Sequence, residues 1–167
     1  LREGKVDESD KTNFYKNLRN FLREFSKIFG LKVIVGLHPS SKDGFKFLAE
    51  FEISKERTMD LIPCSEIILF SQSSLISSAV LYKKKIISIS SKYLGDYITD
   101  LTNKYKNDLN LYSINIDNKF LESKNECEEK MLSSIKNYDK YINTKLQADG
   151  QNLSSKKIIS KIKEYFF

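Results

Sequence analysis

The chain has 167 residues, of which 40% are apolar and 30% charged, with a net charge of +6. That is enough for one domain with a real core and too ordered a composition for a disordered segment. No apolar run approaches the roughly 18–20 residues that a membrane-spanning helix needs, and two cysteines with a single histidine exclude a disulfide framework and a zinc site of ordinary type.

The positive charge is dispersed, with 13 basic and 11 acidic residues in 1–83 and 15 and 11 in 84–167. Only four of the 28 basic residues are Arg, the residue that grips phosphate bidentately. A nucleic-acid partner is therefore not expected; a solvated lysine surface is. The sequence opens on Leu1 without a signal-peptide pattern. It reads as a piece of a longer protein from a reducing, cytoplasmic compartment, with a place at the periphery of the inner membrane as the alternative.

Taken in chain order, residues 1–11 are polar and read as a frayed lead-in. Phe14, Leu18, Phe21, Leu22, Phe25 and Ile28 then follow helical spacing, which predicts a helix from Thr12 to Phe29 stopped by Gly30. Leu31–Leu37 is a continuous apolar run, as in a buried parallel strand. The segment HPSSKDG (38–44) is a loop, and a short strand is expected near 50–53. Thr58 is positioned to cap a short helix, TMDLIPC, with Asp60 in its first turn.

Glu66–Phe70 reads as a second buried strand. Ser73 or Ser74 can cap the next helix, with Ile76, Ala79, Val80 and Tyr82 facing inward and Lys83-Lys84-Lys85 at its carboxyl end. Lys85–Ser90 is a third strand, Tyr93–Tyr105 is helical and Leu111–Ile116 is a fourth strand. Residues 119–167 are read as C-terminal helices. The first runs through 146 with a break near Asn125 and Met131, Ile135, Tyr138 and Ile142 along one side; the last covers 155–166. Cys64 is read as a small buried hydrophobe.

Strands alternating with helices predict one α/β domain over 1–167, Rossmann-like, with a mainly parallel sheet covered by helices on both faces. Strands 31–37, 66–70 and 85–89 are expected at its centre. In such a sheet ligands bind beyond the carboxyl ends of the strands. Two loops there hold suitable groups: His38-Pro39-Ser40-Ser41 after the first strand and Ser71-Gln72-Ser73-Ser74 before a helix. Hydroxyls, an imidazole and the N–H groups of a helix start are donors for phosphate.

The motifs VGLHPSS, RTMDLI and EIILFSQSSLISSAVLYKKKIISI, spanning about residues 12–95, carry a resemblance. This stretch is similar to the C-terminal half of bacterial sialyltransferases and capsular-polysaccharide glycosyltransferases of GT-B fold. The resemblance implies that His38 and Pro39, joined by Ser40, and the serines Ser73 and Ser74 hold the phosphate and nucleotide of a CMP-sugar or related donor. Thr58 occupies the place of a threonine common in related capsule proteins. It further implies that His38 stabilises charge on the leaving phosphate, that no metal or other cofactor is needed, and that the nucleotide sugar is a substrate. The acidic base and the glycan acceptor site would belong to an N-terminal domain outside this chain, so the 167 residues alone would transfer nothing.

Two other classes compete. A non-catalytic flavodoxin-like interaction module fits the element order, although the acidic cluster of a phosphoacceptor site is missing from the first strand end. A serine hydrolase would have only His38 as base and lacks a Gly-x-Ser-x-Gly elbow.

Overall fold

The computed structural model describes residues 7–36, 46–118 and 122–146. Helix α1 (Glu8–Phe29) begins where Asp7 accepts a hydrogen bond from the Ser9 amide and ends at Gly30, whose φ of 68° supplies the left-handed cap. Helical structure thus starts four residues earlier than Thr12, because the Asp7 cap and the acidic first turn (Glu8, Asp10) stabilise residues that periodicity alone assigns to the lead-in. Phe21, Leu22, Phe25 and Phe29 form its buried face.

Among the described residues five strands follow: β1 (Ile34–Val35), β2 (Glu52–Ile53), β3 (Ile67–Phe70), β4 (Lys85–Ser90) and β5 (Tyr112–Asn115). Every pairing among them is parallel. The connecting helices are α2 (Thr58–Leu61) between β2 and β3, α3 (Ile76–Leu81) between β3 and β4, and α4 (Asp96–Leu109) between β4 and β5. A 3₁₀ turn, Lys92–Leu94, precedes α4. Beyond β5 lie α5 (Lys124–Ile135), α6 (Tyr138–Tyr141) and one π turn, Ile142–Leu146. The C-terminal helical region breaks at Lys136-Asn137, not near Asn125: the capping box of Ser123 and Glu126 starts α5 there and holds 124–135 together. The expected helix at 155–166 lies outside the described residues.

The chain is α/β, as expected, but its strands form two hydrogen-bonded sheets, β1-β2 and β3-β4-β5. The expectation that 31–37 and 66–70 share the centre of one sheet is therefore corrected. The apolar run contributes only two ladder residues, and Lys32, Ile34 and Gly36 alternate outward, with Ile34 46% exposed. This is the pattern of a strand with one solvated face, not of a buried central one.

β4 is the true centre. Its neighbours flank it in register, Ile86 opposite Ile68 and Ile87 opposite both Leu69 and Tyr112. Side chains alternate faces along a strand, and β4 feeds two cores in this way. Ile87 and Ile89 join Phe21, Phe25, Phe29, Cys127 and Met131 beneath α1 and α5. Ile86 joins Phe70, Ile76, Val80, Leu109 and Tyr138 beneath α3, α4 and α6. Helices thus cover both faces. Ile86 and Ile87 are each fully buried, worth about 1.5–3 kcal/mol apiece. Val33 beside β1, Val35 within it, and Ile67 and Leu69 of β3 pack against the same core, so the two sheets share a hydrophobic layer without sharing a ladder.

Two residues depart from their expected burial. Tyr82 is 56% exposed, because α3 ends at Leu81 and the chain turns through Lys83 (φ 50°) before the inward face recurs. Cys64 is exposed, lying in the turn after α2 where its neighbour Ile62 takes the buried position.

Candidate functional site

Thr58 opens α2 as its first helical residue. The cap position belongs to Arg57, whose backbone is extended (φ −62°, ψ 137°) and whose side chain makes no cap bond to the helix start. Instead its guanidinium reaches Asp60, Nε to Oδ2 at 2.8 Å and Nη2 to Oδ1 at 3.2 Å. The expectation of Thr58 as the cap therefore shifts by one residue. Its side chain is engaged elsewhere. An ideal Cβ on Gly36 would fall 2.9 Å from both Cγ2 and Oγ1 of Thr58, so the end of β1 runs directly against it. Only a residue without a side chain allows that approach.

Gly36 stands two residues before His38. His38, Pro39 and Ser40 lie outside the described residues. On the far side of that segment the chain is held by Phe47, which stacks on Tyr15 of α1 with ring centroids 4.8 Å apart and planes 3° from parallel. A phosphate held between His38 and Ser73 would set them about 5–10 Å apart, one phosphate plus two hydrogen bonds; that distance lies outside the described residues with His38.

Ser73 and Ser74 follow the carboxyl end of β3. Ser73 is half-buried, and its Oγ accepts from the Leu75 amide at 3.1 Å; Ser74 is exposed. The residue at the cap position of α3 is Leu75, with helical backbone and no side-chain cap bond. The serines thus form a hydroxyl-stabilised turn leading into the helix, and the expectation that one of them is the cap itself is corrected. The cause is local: the Ser73 hydroxyl bonds the amide two residues on, which sets the turn one step before the helix. Thr102 of α4 fixes the start of this loop by donating to the Ser71 carbonyl at 2.6 Å.

A third loop at a strand end was not anticipated from the sequence. After β4, Ser91 and Lys92 are clamped by Asp117, which accepts from Ser91 Oγ at 2.8 Å and from the Lys92 amide at 2.7 Å. Asn17 of α1 donates to the same carboxylate at 2.8 Å. The loop presents Lys92, whose ammonium lies 5.0 Å over the Tyr93 ring, and Tyr97, 70% exposed in the first turn of α4. The local signal was Asn115, whose side chain accepts from the Asp117 amide in an Asx turn after β5. Nothing in the sequence connects that turn to Ser91 or Asn17.

The described donors near the strand ends include hydroxyls (Thr58, Ser73, Ser74) and the Lys92 ammonium. They can meet negative charge and orient an anion. The residues with shifted acidity include Tyr112 at the start of β5. Burial raises its phenol well above the ordinary range, assisted by Cys127 and Glu122. Cys127 is itself pushed up by burial, so its thiol is a packed core group and not an activated nucleophile. Among the described residues no group of three His, Cys, Asp or Glu side chains is placed to hold a metal ion, and no helix is long and apolar enough to cross a membrane. No protein-family model, curated protein or solved structure matches the chain.

Proposed function

We propose that the chain is the donor-binding part of a glycosyltransferase that builds surface or capsular polysaccharide, with a CMP-sugar or related nucleotide sugar as substrate. The observation that carries this reading is the close approach of Gly36 to Thr58. It ties the threonine at the start of α2 to the chain entering His38-Pro39-Ser40, two pieces of the proposed phosphate site that lie 20 residues apart in sequence. Ser73 and Ser74 follow β3, whose Ile67 and Leu69 pack on the same core as Val35 of β1. In this reading the two loops cradle the donor phosphate, and that arrangement rests on the shared core, not on a continuous ladder. His38 and the hydroxyls stabilise charge on the departing nucleotide. The acidic base and the acceptor site come from an N-terminal domain beyond this sequence.

The test is a chemical-shift titration of the 167-residue chain with CMP, UMP, AMP and inorganic phosphate. Binding of CMP is expected near millimolar, about −4 kcal/mol. His38→Ala should weaken it by about 0.5–3 kcal/mol, and Ser73→Ala by a similar or smaller amount. Equal shifts for all four ligands, confined to surface lysines and abolished by moderate salt, would replace this reading with nonspecific anion attraction.

A further inference from the structure

We draw no further inference here: the strongest candidate, the loop after β4 that carries Lys92, Tyr93 and the exposed Tyr97 into the start of α4, has no second feature that points to a ligand, since the buried, unpartnered Ser88 hydroxyl lies deeper on β4, level with Phe70, whose ring packs on Tyr105 in the second half of α4.

Discussion

Gly36 and Thr58 are packed so closely that a single added methyl group would sit 2.9 Å from two atoms of the threonine side chain. Gly36→Ala should therefore lower stability by about 1–3 kcal/mol through overpacking. Thr58→Ala removes both of the closest atoms and leaves only Cβ, at 3.3 Å. The double variant should recover part of the loss, with a coupling energy of about 0.5–3 kcal/mol in a urea-denaturation cycle. Strict additivity would show that the two chain segments do not restrain each other.

Asp117 joins its own turn to two segments distant in sequence, accepting from Asn17 of α1 and from Ser91 and the Lys92 amide of the loop after β4. Hydrogen bonds to a charged acceptor contribute about 1.5–3 kcal/mol each and are not additive within one carboxylate. Asp117→Ala should cost about 2–4 kcal/mol on this basis and should speed hydrogen exchange of the Lys92 amide. An unchanged exchange rate at Lys92 would mean that the loop after β4 is held by something else.

Ser88 is fully buried on the central strand, and its hydroxyl has no hydrogen-bond partner among the described residues. An unsatisfied buried hydroxyl costs about 1–3 kcal/mol. Ser88→Ala removes it at the expense of one small atom's packing, so stability should hold or rise by up to about 1 kcal/mol. A clear loss in denaturation midpoint would assign the hydroxyl a partner.

Burial raises the pKa values of Cys127, Tyr112 and Tyr138. For each, the unfolded chain releases its proton at a lower pH than the fold does. The stability they contribute is complete below the unfolded value and falls as pH rises through the folded one. The decline should begin near pH 8.5, the ordinary thiol value, and steepen from about pH 10, where unfolded tyrosines ionise. Cys127→Ala should remove the first part of that slope while leaving the second. At the acid end the sign reverses. Hydrogen bonds from Ser123 lower the Glu126 carboxyl, so its cap contribution is present above the ordinary glutamate value and is lost on acidification below it. A stability profile flat from pH 8 to 11 would contradict the alkaline assignment.

The parts legible in the sequence are those set by neighbours along the chain. The 3.6-residue spacing of Phe21, Leu22, Phe25 and Ile28 with Gly30 behind them placed the end of α1. The run KIISIS coincided with β4 because β-branched residues between a helix end and a turn have few other solutions. The order of strands and helices also made the parallel pairing of β3, β4 and β5 legible, since each helical crossover between them returns the chain in the same direction.

Tertiary structure decided which apolar run became the centre. LKVIVGL and KIISIS look alike as strings, yet Ile34 is 46% exposed and Ile87 is fully buried. The difference lies in partners: β4 has a strand on both sides and helices over both faces, whereas among the described residues β1 pairs with β2 alone. The same holds for the candidate site. Asn17 and Asp117 meet across 100 residues, and Gly36 meets Thr58 across 22. Periodicity records how a segment divides its own faces between water and protein. It carries no record of which distant segment supplies that protein, and the closing of those long loops is what brought these residues together.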